Sequence, residues 1–181
     1  MKRIKLMGIA AIALCMSVIL TGCFGLQVTS TVTERIIPEE GYTERTLNGV
    51  DMYVPETWTY YFDTAHGVPS YISGVVGSSS SVNVVQANGT ADVRNERKAN
   101  YLSLYRNQWA GTINIPTFTL VDFHGDLMLY VKVTITQSGQ TFHMWQLVVS
   151  KDNTIRVVTM MIIPGHDTAI ADNIYNSLQF N

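Results

Sequence analysis

The chain has 181 residues, 46% of them apolar and only 14% charged, with 12 Lys and Arg against 14 Asp and Glu for a formal net charge of −2. That balance supplies no concentrated basic face, which argues against nucleic acid as a partner. Two cysteines cannot build a disulfide framework, so the core must be held by burial, which a single domain of this length can sustain.

In chain order, Lys2, Arg3 and Lys5 precede Leu6 to Leu20, 15 residues without a charge. This is the length of a signal-peptide apolar region, and it falls short of the ~20 residues that a helix needs to cross ~30 Å of hydrocarbon. The competing reading is an uncleaved anchor helix; in either case the rest of the chain faces outward. Leu20-Thr21-Gly22-Cys23 follows and resembles the lipobox of bacterial lipoproteins, with Leu three residues before the cleavage site, small residues next to it, and the Cys. The resemblance implies that residues 1–22 are a lipoprotein signal peptide, that Cys23 carries diacylglyceryl (palmitate-type) chains, and that the protein is anchored on the extracytoplasmic face of a cell membrane. Each buried CH₂ contributes ~0.8 kcal/mol, so two chains hold a protein that one holds only reversibly. Cleavage would leave Cys23 as the sole cysteine, and nine Lys and Arg against 14 Asp and Glu.

Residues 23–41 read as a lipidated tether. Thr29, Ser30, Thr31 and Thr33 give it linker composition, and Pro38-Glu39-Glu40-Gly41 closes it with turn chemistry. A flexible stretch of that length reaches roughly 20 to 25 Å; the alternative is an edge strand over Val32 to Ile37. The folded domain is expected over 42–181. Asn48-Gly49 between Tyr42–Leu47 and Val50–Val54 is a hairpin signal. Pro55 stops the second strand, and strands are expected over Thr57–Phe62, Tyr71–Val76 and Ser81–Ala87, the last two separated by a Gly-Ser hinge. From Asp92 the period becomes helical. Tyr101, Tyr105 and Trp109 recur at i, i+4, i+8; Thr90 or Asp92 can cap the start, and Gly111 ends it. Such a stripe could be a ligand shelf, but its spacing is that of a core face.

Leu127, Leu129, Val131, Val133 and Ile135 alternate over nine residues, and Ser138-Gly139 and Asp152-Asn153 turn the chain into two further strands. These are apolar on both faces: Phe142, Met144 and Val148 oppose Trp145, Leu147 and Val149, and Val157 and Met161 oppose Val158, Met160 and Ile162. A meander of this kind must be covered on both sides. After Pro164-Gly165, Ile170, Ile174 and Leu178 form a helical stripe to the end.

Tyr53-Val54-Pro55-Glu56-Thr57-Trp58, a central helix, a long meander and a terminal Asn176-Ser177-Leu178-Gln179-Phe180 together resemble the PsbP-like group. The resemblance spans residues 42–181. It implies an α+β fold, an antiparallel sheet flanked by helices in an α/β/α sandwich, and a binding or assembly role without catalysis or cofactor.

Four histidines are the remaining source of chemistry. His66 lies near Asp63, His124 between Asp122 and Asp126, and His166 beside Asp167, while His143 has no close carboxylate. None has the i, i+4 spacing of a helical zinc site, and no Cys assists. The serines at 78–81 lack a nucleophile elbow, Gly77 precedes no phosphate-loop lysine, and Asn88-Gly89-Thr90 reads as a turn. Two function classes follow. The first is a membrane-tethered, non-catalytic module that binds an envelope protein or a small ligand through its Tyr and Trp anchors, with no catalytic, cofactor or metal residue. The second is an envelope hydrolase or metal-dependent enzyme built on His66, His124 or His166 with Asp63, Asp126 or Asp167, which requires two of these histidines to converge in space.

Overall fold

The computed structural model describes residues 26–181 apart from Glu39 and Gly77; the expectations on residues 1–22 and on Cys23 lie outside them. Eleven strands and two helices follow one another: β1 Val28–Val32, β2 Tyr42–Leu47, β3 Val50–Pro55, β4 Thr59–Asp63, β5 Val68–Ile72, β6 Ser81–Asn88, α1 Lys98–Gln108, β7 Thr112–Phe123, β8 Asp126–Gln137, β9 Gln140–Lys151, β10 Thr154–Ile162, α2 Ala169–Asn176 and β11 Gln179–Phe180.

The long strands are stitched by tight turns. Asn48-Gly49, His124-Gly125, Ser138-Gly139 and Asp152-Asn153 each place two consecutive residues at positive φ, between 46° and 86°. That is the left-handed pair a two-residue hairpin loop requires, because its twist matches that of the strands it joins. The expected strand phase holds. Leu129, Val131, Val133 and Ile135 are buried on the face that carries α1, and Met128 is buried on the other. On β9, Met144 and Val148 share the α1 face, and Trp145, Leu147 and Val149 the opposite one.

The expected α/β/α sandwich does not form. Strands take 53% of the described residues and helices 14%. An eight-stranded sheet in the order β1-β7-β8-β9-β10-β6-β5-β4 is joined by a three-stranded sheet, β11-β3-β2. The larger sheet is also mixed rather than antiparallel, because β1 pairs β7 in parallel. The physical reason lies in the Asn48-Gly49 hairpin. Leu47, Val50, Met52 and Val54 form an apolar face that packs with Trp145, Leu147, Val158 and Met160, so a second sheet does most of the covering that helices were expected to do. Helix α2 adds Ala171 and Ile174 to this layer, and the terminal stripe ends early: after Asn176 the chain extends, with Leu178 buried and Gln179 and Phe180 pairing Asp51 and Val50.

On the opposite face, α1 buries Tyr101 and Tyr105, as the core reading of the stripe requires. The Tyr105 hydroxyl donates to Gln146 Oε1 at 2.7 Å, which ties the helix to the middle of β9. Asp92 caps not this helix but a 3-10 turn, Val93–Asn95, accepting from the Arg94 N–H. Gly111 is demanded by proximity: a Cβ there would lie 2.5 Å from the Thr136 carbonyl oxygen.

Four expectations on elements change. Strand β7 was not legible because Pro116 interrupts its pattern; the ladder to β8 is irregular between Asn114 and Thr117, as a strand proline requires. Strand β5 lies over Val68–Ile72 rather than 71–76, and the Ser73 N–H to Ser80 carbonyl bond closes the loop that follows. The stripe of Leu178 gives way to β11. Finally, residues 26–37 are not a free tether. Leu26 N–H donates to the Arg94 carbonyl, β1 pairs with β7, and Ile36 N–H donates to the Asn176 carbonyl, so the edge strand exists but falls at 28–32 rather than 32–37.

Two outcomes follow. Gly111→Ala should cost about 1–3 kcal/mol, since the added methyl meets backbone that cannot give way; chemical denaturation reads it, and an unchanged midpoint would contradict the close approach. A chain beginning at Tyr42 should unfold at a clearly lower denaturant midpoint than one beginning at Leu26, because it leaves an edge of β7 bare; equal midpoints would restore the free tether.

Candidate functional site

The two sheets, the β7–β8 turn and the chain after β1 meet at a cleft of about 350 Å³, lined by Arg35, Phe123, His124, Asp126, Lys151, Leu178, Gln179 and Phe180. Its volume lies within the ~300–1,000 Å³ usual for small-ligand sites. Phe123 and Leu178 are fully buried and Phe180 nearly so, with the Phe123 and Phe180 ring centroids 6.1 Å apart and nearly perpendicular, so the floor is a rigid aromatic wedge.

The polar rim is set by backbone. Asp126 opens β8 and Lys151 closes β9, and their side chains meet at 2.7 Å. The His124 N–H donates to the Val32 carbonyl at 2.7 Å, which fastens the turn to β1. Arg35 reaches in from the stretch after β1. Its Nε donates to the Ser177 carbonyl at 2.5 Å, Nη1 donates to Glu44 Oε1 at 2.7 Å, and the guanidinium lies 5.1 Å from the Tyr53 ring centroid. Its Nη2 has no hydrogen-bond partner among the described residues. The lining thus carries two cations, Arg35 and Lys151, and one carboxylate, Asp126, over an apolar floor.

The C-terminal wall of the cleft depends on Asp51. Its carboxylate accepts from Thr46 Oγ1 at 2.6 Å and from Asn181 Nδ2 at 2.7 Å, and the Asn181 N–H donates to the Gly49 carbonyl. The hydrogen bonds from Thr46 and Asn181, helped by the Arg35 charge, hold the Asp51 carboxyl below its ordinary value.

The histidines do not share a site. His66 Nδ1 bonds Asp63 Oδ2 at 2.8 Å in the exposed β4–β5 turn, which lowers the Asp63 carboxyl. His166 Nδ1 bonds Ser80 Oγ at 2.8 Å, His124 stands at the cleft, and His143 lies beside Trp145 on β9. Their carboxylates serve local structure: Asp122 accepts from the Gly125 N–H, and Asp167 accepts from the Ala169 N–H at the start of α2. Among the described residues no three His, Cys, Asp or Glu side chains group to hold a metal. The Ser80–His166 contact has the distance of a nucleophile and its base, but Ser80 is fully buried and its Oγ also accepts from the Ile163 N–H, so it clamps a loop. Two half-buried phenols meet, Tyr130 on β8 and Tyr175 on α2: burial raises Tyr130, and burial with the neighbouring Tyr130 pushes Tyr175 up to about 12, so both are neutral packing groups.

Sequence reasoning placed His124 and Asp126 together but missed Arg35, Lys151 and Phe180. Arg35 stood in a segment read as linker, and its one signal was a lone basic residue beside Ile36-Ile37.

A group with a depressed folded-state pKa adds stability above its unfolded value, and loses it as pH falls through the folded one. Asp51 should therefore contribute fully above the ordinary carboxylate range, about pH 4, and lose that contribution progressively as pH falls from there through its lower folded value. Thermal midpoints recorded from pH 6 to pH 2 should fall more steeply for the wild type than for Asp51→Asn, which removes this term while Asp63 retains its own; parallel curves would refute the assignment.

No protein-family model matches the sequence, and no curated protein sequence matches it. Solved structures do. The solution structure of cyanobacterial PsbP from a Synechocystis species superposes with a TM-score of 0.60 at 8% identity, covering 80% of this chain and 95% of that one. A crystal structure from Bacteroides thetaiotaomicron gives 0.48 at 14% identity, covering 74% of this chain and 45% of that one, so this chain spans less than half of that protein's length. LpqN, involved in cell envelope biogenesis of Mycobacterium tuberculosis, gives 0.49 at 12% identity, covering 82% and 98%. At these identities the likeness concerns the fold alone, and it establishes that the chain has a PsbP-like fold.

Proposed function

We propose that this protein is a membrane-tethered, extracytoplasmic lipoprotein, anchored through acylated Cys23, that serves as a non-catalytic binding module whose cleft receives a small amphiphilic anion. The observation that carries the binding reading is the cleft itself, where Arg35, paired with Glu44, and Lys151, paired with Asp126, line the same space as Phe123, Leu178 and Phe180. Arg35 is held rigidly through Nε and Nη1. A preorganised guanidinium suits a carboxylate or phosphate head, because little rotamer freedom remains to be lost on binding. The apolar floor suits a short hydrocarbon body. The separated histidines and the engaged Ser80 favour this reading over a hydrolase or metal enzyme. The anchor rests on the lipobox, Leu20 to Cys23.

Straight-chain carboxylates test the cleft. Affinity for acetate, butyrate and octanoate should climb by up to ~0.8 kcal/mol per added CH₂ until the floor is filled, and Arg35→Ala should weaken octanoate about tenfold or more, the loss of one charge-assisted bond. Titration calorimetry reads both, and a response indifferent to chain length and to Arg35 removes the proposal. For the anchor, Cys23→Ala should block both lipidation and cleavage, so its intact mass should keep residues 1–22 and lack the lipid. Intact mass of the wild type should carry the added lipid; an unmodified Cys23 would refute it.

A further inference from the structure

The two sheets have four edges, and three of them are protected. Strand β1 presents Thr29, Ser30 and Thr31 to solvent, β2 presents Glu44, Arg45 and Thr46, and β11 is only two residues long. Short strands, polar positions and charges are the usual means of preventing edge-to-edge association. Strand β4 has none of them along most of its length. It reads Thr59-Tyr60-Tyr61-Phe62-Asp63, with no proline, no lysine and no charge before its last residue, and it pairs with β5 on one side and with no described strand on the other. Tyr60 is 57% exposed and Phe62 46%. Of the seven large hydrophobic residues exposed among those described, two, Tyr60 and Phe62, lie on this one strand.

We infer that β4 is a self-pairing edge through which a second copy of this chain joins its eight-stranded sheet to the first. The strand is complementary to itself in one register. With Tyr61 opposite Tyr61 of the second copy in an antiparallel pair, Tyr60 faces Phe62 of the other chain twice, and Thr59 faces Asp63 twice. No like charges meet, and each Asp63 stands opposite a hydroxyl. Aromatic pairs directly opposite one another are among the more favourable cross-strand neighbours. They would extend an aromatic row already present, since Tyr60 contacts Tyr71 edge-on at 5.7 Å and Arg45 sits over Tyr71 at 5.8 Å.

The same register has a consequence for geometry. Residues directly opposite in a ladder share a face, so pairing Tyr61 with itself puts the α1 faces of both copies on one side of the joined sheet. Leu26, where the described chain begins, packs on that face. Both leading segments then depart from the same side, which fits two anchors in one membrane; this last step rests on the anchoring reading. A five-residue strand pair buries less than the ~1,000 Å² typical of a stable interface. The association is therefore weak in free solution and strengthened when two copies are confined to one surface.

Full-length protein in its native membrane tests the pairing. Tyr61→Cys should give a disulfide-linked dimer on mild oxidation, because opposed residues in a ladder have Cα atoms within bonding range. Thr29→Cys, on the opposite edge of the same sheet, should not. A second measurement is independent of the lipid: sedimentation equilibrium of the detergent-solubilised Cys23→Ala chain should show a monomer–dimer equilibrium that Phe62→Lys, at an exposed position, weakens at least tenfold. Cross-linking at Thr29→Cys alone, a monomer at millimolar concentration, or a dimer indifferent to Phe62→Lys would each overturn the inference. Loss of anchoring would show instead as a soluble wild type that still dimerises.

Discussion

The structure depends on one constraint: β9 and β10, at the middle of the larger sheet, are apolar on both faces. A strand that buries Met144 and Val148 on one side and Trp145, Leu147 and Val149 on the other leaves no side for water. Two covering layers are required, and the chain makes them from different materials. One is α1, held by buried tyrosines and the Tyr105–Gln146 bond. The other is the β2–β3 hairpin, completed by α2 and by the two residues of β11. The cleft is a by-product of this second layer. A three-stranded sheet is narrower than an eight-stranded one, and where its β11 edge meets the β7–β8 turn, Phe123 and Phe180 cannot close the gap between them.

Much of this was legible because turn chemistry and strand alternation are local. Asn48-Gly49, Ser138-Gly139 and Asp152-Asn153 announce themselves by residue type, and Leu129 to Ile135 announce a buried face by period. What failed depended on distant parts of the chain. Thr29, Ser30 and Thr31 have the composition of a linker, yet threonine is also a good strand former, and only the presence of the bare β7 edge decides between the two. Leu178 continues the spacing of Ile170 and Ile174, but the pairing of Phe180 with Val50 ends the helix. Pro116 hid β7 because a proline argues against a strand unless the ladder is broken at that point, and here it is. The covering role of the β2–β3 sheet was concealed for a related reason: periodicity shows that a face is apolar, but not what it packs against.

The candidate site shows the same division. His124 and Asp126 lie two residues apart and were grouped from sequence, whereas Arg35, Lys151 and Phe180 come from three separate regions of the chain. Three of the four histidines, His66, His124 and His166, invited an enzyme reading because each lay near a carboxylate. In the folded chain those carboxylates hold turns and helix starts, as the bonds of Asp122 and Asp167 to nearby N–H groups show. Short polar side chains near turns are recruited by backbone first, so proximity in sequence between His and Asp at a turn is weak evidence for chemistry.

The position of Arg35 links the two halves of the functional reading. This side chain is delivered by the segment that runs back through β1 toward Cys23, and that segment is fastened at four points: to Arg94 by Leu26, along β7 by β1, to His124 by Val32, and to Asn176 by Ile36. A cation needed in a cleft could have been supplied by any neighbouring loop at little cost in side-chain entropy. Placing it on the leading segment means that the wall of the cleft and the route to the proposed anchor are one continuous piece of backbone. Its hydrogen bonds to Ser177 and Glu44 cross from that segment to the small sheet and its approach, so the guanidinium also closes the seam between the two sheets. The segment is therefore part of the fold and part of the site at once, which explains why a stretch with linker composition is ordered along its length from Leu26 to Ile37.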